Sequence, residues 1–152
     1  MKIGMDDRPI SSRADVQSFW TLAKRLSLMT ERERISRIRS GFATTWILAT
    51  KTAFDLDESA IASFADMSVR TLGQRLNRAT LLAPSASERF DRLAQLALLS
   101  ENIFEARAAA EDWIAAPNDS LGGKSPFLLC RTELGGRQAY RVLRAIEWGG
   151  SV

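Results

Sequence analysis

The sequence predicts an all-α protein, and three observations support this fold class. Apolar residues recur three and four positions apart through most of the chain, which is the spacing of a buried helix face. Capping residues, glycines and prolines separate these segments. No segment alternates apolar and polar residues for long enough to predict a strand. The 152 residues, of which 45% are hydrophobic and 26% charged, suit one compact body.

The helix signals divide the chain into successive short helices. Thr30 and Glu33 form a capping box, in which each side chain binds a backbone N–H of the other residue. Asp57 and Ser68 are expected to act as N-caps, and Gly41 to end the helix that Thr30 begins. The expected elements are a flexible arm over residues 1–12 and helices over residues 14–28, 31–39, 42–54, 58–64, 69–78, 87–104, 105–116, 127–132 and 137–148. Two residues of the charged helix 31–39 are expected to face inward, namely Ile35 and Ile38.

Composition around Pro84 predicts the main domain boundary. Pro84 and the polar run at residues 85–87 separate two helical regions. We therefore expect an N-terminal arm and extra helix over residues 1–30, a helix-turn-helix domain over residues 31–85 and a small helical domain over residues 86–152. In that last domain, the segment LGG at residues 134–136 is expected to be a loop before the final helix.

Helices 58–64 and 69–78 have the lengths and tight connection of a helix-turn-helix. Val69, Leu72 and Leu76 are expected to pack inward. The opposite face would then present side chains suited to DNA phosphates or base edges, namely Ser68, Arg70, Thr71, Gln74, Arg75 and Arg78. A solvated amphipathic helix is the alternative. Asp66 occupies the turn position where glycine is usual, because that position takes a positive φ.

The sequence contains few of the residues that catalysis and metal binding usually require. The chain has one cysteine, Cys130, and no histidine, so it lacks the usual proton shuttle and the commonest zinc ligand. No pair of acids stands out from solvated helix faces. The string GGKS at residues 122–125 resembles the end of a phosphate-binding loop, but Asn118 stands where that loop requires glycine. We expect no enzymatic activity, no metal and no cofactor.

Charge is unevenly distributed along the chain. Residues 1–85 hold 13 Lys and Arg against 9 Asp and Glu, whereas residues 86–152 hold 8 against 9. This polarity suits a DNA-facing half joined to a protein-facing half, and a plain solvated surface suits it equally. The longest apolar stretches fall well short of the roughly 20 residues that cross a bilayer. Without a signal peptide, the chain is expected to act in the cytoplasm and away from membranes.

The tryptophans suggest different roles. Trp46 and Trp113 are expected to be core residues. Trp148 is followed by Gly149 and Gly150 near the chain end, where little remains to cover it, so it is expected to enter a partner's pocket. The alternative is an indole folded back on its own helix.

The C-terminal string AEDWIAAPNDSLGGKSPFLLCRTELGGRQAYRVLRAIEWG closely resembles the toxin-binding domain of the ParS/MbcA/Xre antitoxins. That family's pattern is roughly A-x-x-W-L-x-x-P-N, L-G-G-x-x-P, L-L-x-T-x-x-G and V-x-x-x-L-x-x-I-E-x-G. The segment SVRTLGQRL resembles the same family's helix-turn-helix, which is termed Xre-like. Gln74 departs from the arginine that the family commonly carries, which removes one phosphate-pairing charge. The matches extend over residues 35–152.

The resemblance implies an antitoxin encoded beside a RES-domain toxin, which consumes NAD or transfers its ADP-ribose. The antitoxin's C-terminal end would cover the toxin's active-site entrance, and the complex would repress its own promoter by binding operator DNA. The implied toxin-binding residues are Trp113, Asn118, Leu121, Gly122, Gly123, Lys124, Arg144, Glu147, Trp148, Gly149, Gly150, Ser151 and Val152. Helix 14–28 lies outside the resemblance, and dimerisation is one role it could serve.

Two further expectations concern assembly. A homodimer within the toxin complex is expected, because one short recognition helix reads too few base pairs to be selective. A stand-alone transcriptional repressor without a toxin partner is the alternative function, and it would use the same helix-turn-helix.

Overall fold

The computed structural model describes residues 18–78 and 80–149, and it confirms the all-α fold class. The predicted arm and the start of the predicted first helix lie outside these residues. Within the described ranges there is no β-strand, only isolated bridges at Ala43–Leu81 and Asn118–Lys124. The α-helices are α1 (Phe19–Ser27), α2 (Glu31–Ser40), α3 (Thr45–Ala53), α4 (Glu58–Phe64), α5 (Val69–Arg78), α6 (Pro84–Phe104), α7 (Arg107–Ala115), α8 (Pro126–Leu129) and α9 (Glu133–Glu147). A short 3₁₀ helix spans Asp119–Leu121.

Helix α6 is the centre of the fold. It is 21 residues long and packs against α1, α2, α7 and α9. A helix that contacts neighbours on several sides must be apolar or small around most of its circumference. All of its buried residues except Asp91 meet that requirement, and the buried set is Ala86, Ser87, Phe90, Asp91, Leu93, Ala94, Leu96, Ala97 and Ser100.

An aromatic cluster joins the two halves of the chain. The Phe64 ring, at the end of α4, stacks on the Phe127 ring of α8 with centroids 4.5 Å apart. Phe64 also contacts Phe90 of α6 edge to face at 5.1 Å. All three side chains are buried, and aromatic pairs of this kind add about 0.5–1.5 kcal/mol each beyond the burial of their area. The helix-turn-helix half and the C-terminal half therefore share one core.

Two arginines of α6 strengthen the same junction. The Arg89 guanidinium donates to the Phe64 carbonyl at 3.0 Å, and that of Arg92 donates to the Cys130 carbonyl at 2.7 Å. Both carbonyls lie at the C-terminal ends of short helices, where no further turn supplies an N–H donor. Each guanidinium thus satisfies a helix end that would otherwise lack a partner.

Helix α1 belongs to this core, although the sequence assigned it no role beyond dimerisation. The Phe19 ring contacts those of Trp46 at 5.8 Å and Phe54 at 4.9 Å. The Trp20 indole N–H donates to the Glu111 carboxylate at 2.7 Å, and the guanidinium carbon of Arg107 lies 5.1 Å from the indole centroid. Helix α1 therefore joins α3 to α7.

An ion pair joins helix α2 to the central helix α6. Arg34 binds both carboxylate oxygens of Asp91, at 3.1 and 2.8 Å. The hydrogen bond to Asp91 raises the pKa of the Arg34 guanidinium, although partial burial opposes that rise. No α2 residue is fully buried. The prediction for Ile35 is wrong, because its side chain is 50% exposed, whereas Ile38 packs partly against the core.

Caps predicted from the sequence are confirmed. Thr30 and Glu33 form both hydrogen bonds of the capping box, the Asp57 carboxylate accepts from Ala60 N–H, and the Ser68 hydroxyl accepts from Thr71 N–H. These bonds join residues three positions apart, so local sequence suffices to specify them.

Two helix starts were predicted too late. Helix α6 begins at Pro84 instead of residue 87, because proline at the first helical position has the required φ and needs no N–H partner. The predicted boundary at residues 85/86 thus lies in its first turn. Helix α9 begins at Glu133, and its N-cap Thr132 accepts from Gly135 N–H. The predicted LGG loop is therefore helical.

In the part of the chain that the structure describes, no helix combines the length and the apolar character needed to span a membrane.

Gly135 generates a stability prediction. A Cβ at this position would lie 2.1 Å from the Leu129 carbonyl oxygen, and backbone cannot move aside as a side chain can. We expect Gly135→Ala to lower the free energy of unfolding by about 3 kcal/mol in urea denaturation followed by circular dichroism. Gly73→Ala is the control, because nothing lies within 4 Å of its Cβ position. That change should stabilise by about 0.5–1 kcal/mol. Equal stability of the two variants would contradict the close approach.

The shared aromatic core generates a second prediction. Phe127→Ala should lower the free energy of unfolding by about 3–5 kcal/mol. Circular dichroism and tryptophan fluorescence should still report a single transition, because neither half buries its aromatic face alone. The control Leu128→Ala removes a neighbouring side chain that is 43% exposed, so it should cost clearly less, about 1 kcal/mol. Two separate transitions in the unaltered protein would show that the halves fold independently.

Candidate functional site

Helices α4 and α5 form the predicted helix-turn-helix. Ile61, Ala62 and Phe64 bury one side of α4. The turn after α4 places Asp66 at φ +62°, in the left-handed region. The Met67 N–H donates to the Ala62 carbonyl at 3.0 Å. The turn therefore has the positive φ at which glycine is usual, and Asp66 adopts it although it was expected to tolerate that conformation less readily than glycine. Asparagine and aspartate accept it better than most other side chains.

Helix α5 contacts the core along a narrow stripe. Leu72 is its one fully buried residue, and Leu76 packs partly against the core. The prediction for Val69 is wrong, because its side chain is 47% exposed. Val69 lies in the first turn, which lines an open cleft. Most of the α5 surface thus faces away from the protein.

The six predicted DNA-binding residues lie together on and beside α5, and we call them the α5 polar face. Ser68 and Thr71 bond to each other through their hydroxyls at 3.0 Å. Arg75 donates to the Leu81 carbonyl at 3.1 Å. The remaining three side chains are exposed, and no described residue engages them in a side-chain hydrogen bond or ion pair. They are Arg70, Gln74 and Arg78.

The GGKS string belongs to a closed loop over residues 118–124. Asn118 N–H donates to the Lys124 carbonyl at 3.1 Å, and Gly123 N–H donates to the Asn118 carbonyl at 2.9 Å. Gly122 and Gly123 have φ values of +68° and +80°, a region that favours glycine. The buried Leu121 anchors the loop, which packs against α9. These residues shape the domain, Lys124 is exposed, and their direct contact with a toxin stays a prediction.

Trp113 is directed into the domain. Its ring packs against that of Phe104 with centroids 6.0 Å apart. Its indole N–H is buried without a hydrogen-bond partner among the described residues. The side chain is partly buried and packs against the core, which agrees with the expectation of a core position, and its contact with a toxin stays a prediction.

The C-terminal end of α9 presents an ordered polar group. The Arg144 guanidinium donates to the Glu147 carboxylate at 2.6 Å and to the Tyr140 hydroxyl at 2.8 and 3.2 Å. These bonds, that to Glu147 first, raise the pKa of Arg144. The sequence reasoning missed Tyr140, although its spacing of four and seven residues from Arg144 and Glu147 is a signal for one helix face.

Trp148 projects beyond this group. Its backbone N–H ends α9 by donating to the Arg144 carbonyl at 3.1 Å, while its side chain is 84% exposed. The alternative in which the indole folds back on α9 is therefore wrong. Gly149 follows at φ +81°. Gly150, Ser151 and Val152, which were predicted to bind toxin, lie outside the described residues.

Cys130 has the properties of a core residue. It is fully buried, and burial raises the pKa of its thiol to about 12, despite an opposing effect of Arg92. A thiol with that pKa is protonated at neutral pH and is a poor nucleophile. Among the described residues, no three Asp, Glu or Cys side chains are grouped to hold a metal ion.

Comparison with known proteins matches both halves of the chain. The antitoxin Xre-like helix-turn-helix domain matches residues 33–95, and the antitoxin Xre/MbcA/ParS C-terminal toxin-binding domain matches residues 100–149. A relative from Pseudomonas putida named antitoxin Xre is 27% identical over 126 residues, covering 80% of this chain and 76% of its own. The two domain matches agree with the helix-turn-helix at α4–α5 and the ordered end of α9. The chain therefore belongs to the Xre/MbcA/ParS-type antitoxins.

Proposed function

We propose that this antitoxin neutralises a RES-type toxin by covering the entrance to its active site with the C-terminal end of α9. The observation that carries the proposal is the exposed Trp148 beside the ordered Arg144. Both lie at the open end of a domain that matches the family's toxin-binding domain. The toxin would be an enzyme that acts on NAD, as the family resemblance implies.

The chemistry of this end suits a protein interface. Tryptophan and arginine are enriched among the residues that dominate binding energy, because they bury large areas and still offer hydrogen bonds. Exposing an indole to water costs free energy that a partner's pocket would recover. Arg144 is already fixed by Tyr140 and Glu147, so less side-chain entropy is lost on binding.

Inhibition by this route requires only that the end of α9 fills the entrance to the toxin's active site, and no chemical step is needed. The rest of the domain is rigid, because α9 packs against α6, α8 and the 3₁₀ helix. A rigid helix can hold its terminal residues against a cleft while the surrounding contacts supply most of the buried area. Glu147 would bring a carboxylate to a cleft built for an anionic dinucleotide, so it would compete for the same cationic groups.

The toxin-binding end can be tested with Trp148→Ala. This change should raise the dissociation constant for the RES-type toxin encoded beside this gene by at least about 30-fold, the effect of losing an interface hot spot. Binding would be measured by calorimetry, and inhibition by the toxin's turnover of NAD. Deleting residues 148–152 should weaken inhibition at least as much and leave the thermal midpoint nearly unchanged, because the end of α9 contributes no buried residue after Leu143.

Leu134→Ala is the matched control for Trp148→Ala. Leu134 is also an exposed apolar residue of α9, at 73%, but it lies in the first turn of the helix. Its removal should leave toxin affinity within about twofold. Equal losses for the two variants would contradict the proposal, as would full neutralisation by the truncated protein. A chain that forms no complex with this toxin would instead act as a repressor alone.

We further propose that α5 reads operator DNA and that the antitoxin acts as a homodimer in the cytoplasm. The support is the α5 polar face, where Arg70, Gln74 and Arg78 extend from the protein unengaged by other described residues. Their side chains are suited to phosphates and base edges. Two copies would double the number of base pairs read, which selective operator binding requires.

The DNA half can be tested with Arg70→Ala in fluorescence anisotropy against the DNA upstream of this gene. We expect weaker binding, and the slope of log affinity against log salt should fall in magnitude by about 0.9 for one lost phosphate contact. Arg75→Ala is the comparison variant. Its effect on the slope should be smaller, because one of its N–H groups already binds the Leu81 carbonyl. Unchanged affinity after Arg70→Ala would count against α5 as the reading helix.

A further inference from the structure

An open cleft lies at the boundary between the two domains. Its volume is about 460 Å³, and most of its wall comes from α4, the turn after α4 and the start of α5. One residue, Arg131, comes from the toxin-binding domain, in the short connection between α8 and α9. The full wall comprises Ser59, Ala62, Ser63, Asp66, Met67, Ser68, Val69 and Arg131.

The backbone on both sides of Arg131 is fixed. The preceding Cys130 is fully buried, and its carbonyl accepts from Arg92. The following Thr132 is the N-cap of α9 and accepts from Gly135 N–H. Arg131 N–H itself donates to the Leu128 carbonyl at 3.2 Å. The side chain therefore starts from a rigid position that is set by the core.

The guanidinium of Arg131 has no assigned role inside the protein. The residue is exposed, and none of the described residues forms a hydrogen bond or ion pair with its side chain. The one acid of the cleft wall is Asp66, and no ion pair within 4.0 Å joins the two. Arg131 is thus an unsatisfied cation beside the recognition helix.

We infer that Arg131 contacts a DNA phosphate, so that the DNA-binding surface continues from the α5 polar face onto the toxin-binding domain. This inference rests on the proposed reading of DNA by α5. The cleft is continuous with that surface, because Ser68 belongs to both. A strand whose phosphates pass the first turn of α5 would meet the bonded hydroxyls of Ser68 and Thr71 on one side and Arg131 on the other. The Ser68 hydroxyl donates to that of Thr71, which keeps its own hydrogen for a phosphate. Hydroxyls and arginines are both common phosphate ligands.

The position of Arg131 favours DNA over toxin as its partner. Arg131 precedes the N-terminal end of α9, whereas Trp148 and Arg144 lie at the C-terminal end. A helix of 15 residues is about 22 Å long. Arg131 is therefore separated from the proposed toxin contact by the full length of α9, while it shares a cleft with the recognition helix.

Removing the charge of Asp66 should have the opposite effect on DNA affinity. Its carboxylate lines the same cleft and would repel a phosphate there. Asparagine has nearly the same shape and tolerates the left-handed backbone at this position. Asp66→Asn should therefore strengthen DNA binding without changing the turn.

The test compares Arg131→Ala with Arg141→Ala in fluorescence anisotropy, using the full chain and a duplex from the DNA upstream of this gene. Arg141 is the matched control, because it is an exposed arginine of the same domain that does not line the cleft. Arg131→Ala should raise the dissociation constant about 5- to 10-fold near 0.1 M salt and lower the salt slope by about 0.9. Arg141→Ala should leave both unchanged. Asp66→Asn should lower the dissociation constant about 2- to 3-fold.

The effects of Arg70→Ala and Arg131→Ala together distinguish a failure of the Arg131 contact from a failure of DNA reading by α5. If Arg70→Ala weakens DNA binding and Arg131→Ala behaves like Arg141→Ala, the inference is overturned and reading by α5 stands. If Arg70→Ala has no effect either, both are overturned. If Arg131→Ala leaves DNA binding intact and weakens toxin binding, the residue belongs to the toxin surface, which also overturns the inference. Thermal midpoints of all variants should match that of the unaltered protein, because each changed side chain is exposed.

Discussion

The contact of Phe64, Phe90 and Phe127 is the constraint on which the rest of the structure depends. Phe64 ends the first helix of the helix-turn-helix, Phe90 belongs to the central helix, and Phe127 lies in the toxin-binding domain. Because protein interiors are packed as densely as organic crystals, none of these rings can move without opening a cavity. The helix-turn-helix domain and the toxin-binding domain are therefore packed together through one shared core.

This constraint determines how the functional surfaces are arranged. Helix α6 lies at the centre and carries both Arg89 and Arg92, which bind the C-terminal ends of α4 and the α8 segment. Helix α5 projects on one side of this junction, and three side chains of its polar face, Arg70, Gln74 and Arg78, are exposed. Helix α9 extends away from it, from Arg131 near the recognition helix to Trp148 at the opposite end. The surfaces proposed for DNA and for toxin thus lie at distant places on one packed structure.

The two surfaces also differ in chemistry, and the difference matches their proposed partners. The surface proposed for DNA consists of arginines, hydroxyls and one glutamine, which suits a phosphate backbone whose contribution depends on salt. The other surface consists of an exposed indole beside an arginine already bonded to Tyr140 and Glu147. That combination suits burial in a protein pocket, where preordered side chains lose less entropy.

The sequence alone determined the features that depend on neighbouring residues. The all-α class, the capping box of Thr30, the caps Asp57 and Ser68 and the positive φ of Asp66 all follow from interactions within about four residues, and the structure has each of them. The family resemblance likewise rested on contiguous strings. Helical spacing also placed the predicted DNA-binding residues on one face of α5, since α5 is a regular helix, while their contact with DNA stays a prediction.

Only the tertiary structure decided which faces are buried and which distant residues meet. Ile35 and Val69 had the right spacing for burial, but no element covers them. The LGG segment looked like a loop, yet Gly135 is required because the Leu129 carbonyl passes where a Cβ would lie. The role of α1 in the core and the position of Arg131 beside α5 arise from contacts between residues far apart in the chain. Periodicity describes one helix at a time, whereas burial and juxtaposition depend on how several helices pack together.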